Sequence, residues 1–72
     1  MKWYVTLSNN DEGVKWLEIE SDETDTKGYF LYSYIKEDFA YDSWFQSLEE
    51  AFSAATDRYG VVKENWKVLS EN

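Results

Sequence analysis

Apolar and polar residues alternate from the first strand-like segment onward. Trp3, Val5 and Leu7 fall on one parity, and Lys2, Tyr4, Thr6 and Ser8 on the other, which is the period of a half-buried β-strand. Asn9–Asn10–Asp11–Glu12–Gly13 is a dense turn signal, rich in residues that tolerate left-handed backbone. Val14 to Glu20 reads as the returning strand of a hairpin, with Leu17 and Ile19 facing one way and Val14 and Trp16 the other. Ser21 to Lys27 contains no apolar residue and is expected as an exposed loop. Gly28 then opens a third strand, Tyr29 to Ile35, with strong β-propensity throughout.

The pattern changes period after residue 41. Lys36 to Tyr41 is expected as a connector, and Asp42–Ser43–Trp44–Phe45 either continues it in extended form or starts a helix early through Ser43 and Gln46. The later start at Ser47 has the stronger signals. Ser47 and Glu50 form an S-x-x-E capping box. Leu48, Ala51, Phe52, Ala55 and Tyr59 then build one apolar stripe at helical spacing. Glu49 and Glu50 sit at the positive end of the helix dipole and Arg58 at the negative end. Gly60 is placed to take the left-handed conformation that closes the helix. Val61–Val62 and Trp66 to Leu69 are apolar enough to return to the body, the second as a short edge strand or a brief helical turn.

These elements predict one α+β domain over residues 1–72. It is a three- to four-stranded antiparallel sheet with one helix packed on one face, in the order β-β-β-α-β. In the third strand Tyr29, Leu31, Ser33 and Ile35 share a face, with Val5, Leu7, Leu17 and Ile19 as their helix-side neighbours. The opposite face would carry Tyr4, Trp16, Phe30, Tyr32 and Tyr34. One helix cannot cover both faces. That second face is either capped by the termini and the connector or left for a partner or a second copy.

Composition sharpens this picture. A chain of 72 residues without cysteine has no disulfide to compensate for a small core. Its fourteen aromatic residues are therefore expected to be mostly core. The net charge of −8 argues against nucleic acid and anionic membrane, both of which select clustered Lys and Arg. No run approaches transmembrane length, and the opening Met1–Lys2–Trp3–Tyr4 does not read as an export signal, so the cytoplasm is the default expectation. Histidine and cysteine are absent, which removes the usual neutral-pH base, thiolate and zinc ligands. The three glycines stand apart at positions 13, 28 and 60, so there is no phosphate loop. Fifteen carboxylates could supply a hydrolytic pair only within a cleft, which a domain of this size has little volume to build. The expectation is a protein that is not an enzyme and carries no cofactor.

The charge feature that stands out is the acidic run Glu18, Glu20, Asp22, Glu23 and Asp25. Asp22, Thr24 and Thr26 alternate ahead of Gly28, but the closing acid of a calcium loop is missing. The plain reading is a solvated hairpin loop; the sharper one is a docking surface for Lys and Arg of a partner. With Trp16, Tyr32 and Tyr34, these five acids form the candidate partner-binding set.

The stretch Asp42-x-Trp44-x-x-Ser47-Leu48-Glu49-x-Ala51, continuing to Tyr59–Gly60–Val61 and Trp66, resembles a motif of small uncharacterised bacterial proteins. Some of those resemble immunity proteins that neutralise a toxin. Phe45 stands where that pattern often has histidine. The resemblance implies a short sheet followed by one helix, and an inhibitory binding role. The leading expectation is thus a small acidic protein-binding module of inhibitor or immunity type, acting on a basic protein. The alternatives are a homodimer formed through the aromatic sheet face, and an aromatic platform for a small ligand such as a sugar.

Overall fold

The computed structural model describes residues 1–8, 10–21 and 28–69. It is α+β: an antiparallel sheet of five strands and one helix. The strands are β1 (Lys2–Thr6), β2 (Trp16–Ser21), β3 (Tyr29–Lys36), β4 (Phe39–Phe45) and β5 (Lys67–Leu69), and the helix α1 spans Leu48–Tyr59. A single 3₁₀ turn, Lys63–Asn65, precedes β5. In space the strands run β4-β3-β2-β1-β5. The chain therefore starts in the sheet, meanders outward to β4, crosses over through α1, and returns to pair β5 against β1.

The expected three or four strands become five because the presumed connector is itself a strand. Glu37 and Asp38 make a tight turn, and Phe39 to Phe45 folds back along β3. Phe39, Tyr41, Ser43 and Phe45 alternate there with Ala40, Asp42 and Trp44, which is a clear period of two. The polar residues Asp42 and Ser43 in its middle hide that period from a reading based on apolar runs. The order is thus β-β-β-β-α-β; of the two alternatives for Trp66 to Leu69 the edge strand is the one that forms, at Lys67–Leu69, and the 3₁₀ turn lies just upstream of that segment.

The helix forms where its signals place it. Ser47 is the N-cap, extended at φ −138°, and its hydroxyl accepts the Glu50 amide at 3.2 Å. The carboxylate of Glu50 reaches back to the Gln46 amide at 3.2 Å, one residue upstream of the reciprocal partner in a standard capping box. Gly60 closes the helix at φ +72°, and its amide bonds to the Thr56 carbonyl at 2.9 Å. Beyond the cap, the Thr56 hydroxyl lies 2.6 Å from the Val61 carbonyl, which turns the chain back toward the sheet.

The register explains the core. Val5 pairs with Leu17, and Ile19 with Leu31, so four aliphatic residues form a patch across β1, β2 and β3. Ala51, Phe52 and Ala55 of the helix stripe close over it, together with Val61 and Trp66. Phe52 sits between Trp3 (ring centroids 6.4 Å apart, near-perpendicular) and Trp66 (5.4 Å). Ser33, the one buried polar residue among those described, is hydrogen-bonded at 3.3 Å to the Tyr59 hydroxyl.

Two expectations fail here. Of the fourteen aromatics only Phe52 and Trp66 are buried, and the fully enclosed side chains are Leu17, Ile19 and Leu31. Most aromatic rings lie instead at the margins or on the outer face, where neighbouring rings cover one another. Val14, expected to share a face with Trp16, is 2% exposed and belongs to the core. It precedes β2, and the loop before it breaks the pleat. Asn10 organises that loop: its side-chain oxygen accepts the amides of Glu12 and Val14, and its amino group donates to the carbonyls of Ser8 and Val14. The chain thus enters β2 through an Asn-held bend, so parity does not carry back through it.

Candidate functional site

The side of the sheet away from α1 is the candidate site, and the strand register builds it row by row. Lys2 stands opposite Glu20, Glu20 opposite Phe30, and Phe30 opposite Trp44. The next row runs Lys67, Tyr4, Glu18, Tyr32, Asp42, and the third runs Thr6, Trp16, Tyr34, Ala40. No described helix or strand packs over these rows, since the core-forming helix residues all meet the other face. β4 therefore widens the outer face; it does not cap it.

The aromatic residues on this face are held by each other. Trp16 and Tyr34 are stacked across β2 and β3, with centroids 4.7 Å apart and planes at 21°. Along β3, Phe30 and Tyr32 lie 6.0 Å apart at 20°, and Tyr32 and Tyr34 6.3 Å apart at 33°. Such pairs add roughly 0.5–1.5 kcal/mol each beyond area burial. The result is a continuous row of neighbouring rings across β2 and β3. At its other end Trp44 lies across Gly28, which is buried beneath the indole. Gly28 is a glycine because a Cβ there would collide with the Trp44 ring, an aromatic cover for a strand glycine.

Carboxylates stand among the rings. The Trp16 indole N–H donates to Glu18 Oε2 at 3.1 Å, which orients that carboxylate beside the stack. The Tyr34 hydroxyl has its pKa raised above the ordinary tyrosine value. Burial is the largest cause, the negative charge of Glu18 and Glu20 adds to it, and Lys2 works against it. Among the charges, Glu18 outweighs Lys2 at this hydroxyl. Lys2 and Lys67 lie at the β1–β5 margin, so the face is acidic over β2–β4 and basic along one edge.

Of the residues singled out from sequence, the fold brings Trp16, Glu18, Glu20, Tyr32 and Tyr34 together on this one face. Asp22, Glu23 and Asp25 lie outside the described residues, as does the loop read as a defective calcium site. Among the described residues no group of three or more Asp or Glu is placed to hold a metal ion, and no helix is long and apolar enough to cross a membrane. Sequence reasoning missed Asp42 and Trp44, which extend the acid and aromatic pattern across β4. Their signal was the period-two alternation of residues 39–45.

β4 also borders a second feature. Phe45 and the helix residues Glu49, Glu50, Ser53, Ala54 and Asp57 line an open groove of about 450 Å³ on the helix side of the strand. Comparison with known proteins matches no family model, no curated protein and no solved structure.

Proposed function

We propose that this chain is a small, non-enzymatic, protein-binding module of inhibitor or immunity type, which masks a basic surface of another protein with the outer face of its sheet. The observation that carries the reading is the joint placement of the Trp16–Tyr34 stack, Tyr32 and Phe30 with Glu18, Glu20 and Asp42 on a face that no described element covers. Tyr and Trp supply large contact area at low entropic cost, and their polar tips tolerate water before the partner arrives. Carboxylates beside π-faces suit Lys and Arg, which gain both ion pairing and cation–π attraction. The chain charge of −8 would steer a basic partner toward it. The immunity-like helix motif leans the same way.

A second copy is the competing partner, because Lys67 at one margin and Asp42 at the other lie in the same row. A twofold axis along the strands would pair them, but it would also bring the two Glu18 side chains together, which favours the basic partner.

The test is capture from host lysate at low and high salt, with wild-type protein and the Glu18→Gln/Glu20→Gln variant. One basic protein retained by the wild type at low salt, and released both by salt and by the double substitution, is the expected result. Retention indifferent to the substitution, or no retained protein, defeats the reading. Recovery of only the untagged chain would assign the face to a homodimer.

A further inference from the structure

The two edges of this sheet are built differently. Among the described residues β5 spans Lys67–Leu69 and begins with a lysine, which blunts an edge. β4 runs for seven residues, Phe39–Phe45, with no lysine, arginine or proline. Its one irregularity lies at the hairpin end, between Tyr34 and Lys36, so Ala40 to Phe45 keeps an even register. An edge strand of that kind presents an unprotected row of backbone donors and acceptors. It also carries Phe39, Tyr41 and Trp44, which are 45%, 58% and 42% exposed. Phe39 and Tyr41 meet edge to face at 5.2 Å, which holds them in place at the rim.

Charge says what belongs there. Glu37 and Asp38 lie at one end of β4, Asp42 is on its outer face, and Glu49, Glu50 and Asp57 line the groove on its helix side. Lys36, Arg58 and Lys63 are the cations near this rim; Lys36 lies 3.9 Å from Asp38, Arg58 reaches Ser43 at 3.4 Å, and Lys63 pairs with Glu49 at 3.1 Å, which leaves the acids in excess. A second copy would bring the same excess of acid to the junction, −8 on each chain. A basic strand would neutralise it.

We propose that β4 is a strand-addition site for an extended, positively charged segment of a protein partner. The added strand would continue the sheet as a sixth member through main-chain hydrogen bonds. Its side chains would alternate between the two faces. Those on one parity enter the groove beside Phe45 and Ala54, where Glu50 and Asp57 offer carboxylates to a Lys or Arg head group and Glu49 does so in exchange for its exposed contact with Lys63. Those on the other parity lie over Asp42 and Trp44 and continue the aromatic face. This rests on the reading of the chain as a binder of a basic partner, and adds where and in what conformation that partner is gripped.

The test maps binding residue by residue on the whole ¹⁵N-labelled chain. The probe is a blocked synthetic peptide of alternating arginine and valine; its control is the same peptide N-methylated at the central amides, which keeps the charge and removes the donors. Amide shifts and slowed hydrogen exchange concentrated in residues 39–45, with at least tenfold weaker binding of the methylated peptide, are expected. Equal affinity for both peptides overturns strand addition. Shifts confined to Tyr4, Trp16, Glu18, Tyr32 and Tyr34 also overturn it, while leaving the sheet-face reading intact. No response at millimolar peptide counts against both. Shifts in residues 39–45 produced by protein concentration alone would give the edge to a second copy and refute the proposal.

Discussion

Gly28→Ala should destabilise the wild-type protein yet stabilise a variant that lacks Trp44. Gly28 has an ordinary negative-φ backbone, in contrast to Gly13 and Gly60, so alanine meets no conformational strain there. What it meets is Trp44: the added methyl would overlap Cζ2, Cε2 and Nε1 of the indole. Trp44 is 42% exposed, so somewhat more than half of its surface is covered. That is about 120 Å², or about 3 kcal/mol at ~25 cal/mol/Å². The ring is on an edge strand and can swing aside while keeping part of its contact with Phe30, its neighbour in the register. Losing about half its cover costs about 1.5 kcal/mol. Against this, alanine reduces the entropy lost on folding by roughly 0.5–1 kcal/mol relative to glycine. The net expectation is a loss of about 0.5–1 kcal/mol in the wild type. In a Trp44→Ala background the overlap vanishes and the same substitution gains about 0.5 kcal/mol or more. Urea unfolding followed by far-ultraviolet circular dichroism on the four proteins of the cycle gives both signs and their coupling of about 1–2 kcal/mol. The same sign in both backgrounds would refute the claim that the indole occupies the space of the missing side chain.

Asn10→Ala should cost about 1–3 kcal/mol, because it removes four side-chain hydrogen bonds that hold the β1–β2 loop, some of them partly buried; a loss under 0.5 kcal/mol by urea unfolding would show the loop to be held by its backbone alone. Ser47→Ala should cost about 1 kcal/mol by removing the N-cap acceptor of the Glu50 amide, and Ser47→Asp should restore most of it. At alkaline pH, Tyr34 holds its proton in the folded state beyond the ordinary tyrosine range of about 10. Its contribution is therefore complete below that value and fades as pH rises through the folded one, so Tyr34→Phe should flatten the fall of stability in that window. Glu18→Gln should lower the Tyr34 titration, read by its phenolate absorbance as a difference from Tyr34→Phe, because the second-largest cause of the shift is removed.

The legible parts of this fold were those whose signals are local. Ser47, Glu50, the Leu48–Tyr59 stripe and Gly60 marked the helix because caps, dipole and periodicity act within a few residues. The face assignments of β3 were also local, since alternation needs no knowledge of the partner strand. β4 was obscured because its polar centre, Asp42–Ser43, tolerates solvent on an edge, where a strand need not be apolar to be stable. Val14 was misplaced because an Asn10-held bend, a side-chain effect, breaks the parity of β2. For the site, Trp16, Tyr32 and Tyr34 were legible by parity alone, whereas Glu18 and Glu20 stood out only as part of an acidic run, and their place among the rings comes from the β2 register. Asp42 and Trp44 became visible only with the fourth strand, because their meeting with Tyr32 and Phe30 depends on register.

A sheet with one helix must leave one face to water, and stability alone constrains what that face contains. Pairing Trp16 with Tyr34 and Phe30 with Tyr32 shields rings from solvent and strengthens a small domain whose fully enclosed side chains are few. Stability gains the Trp16–Glu18 hydrogen bond, but it does not call for Glu20 among those rings, since Glu20 gains no described ion pair on the face. Nor does it call for a seven-residue edge without a lysine in a chain that places lysine on its other edge. The two departures lie side by side on one acidic, aromatic surface. The basic partner we propose would answer both at once, with its charge drawn to the carboxylates and its backbone to the open edge.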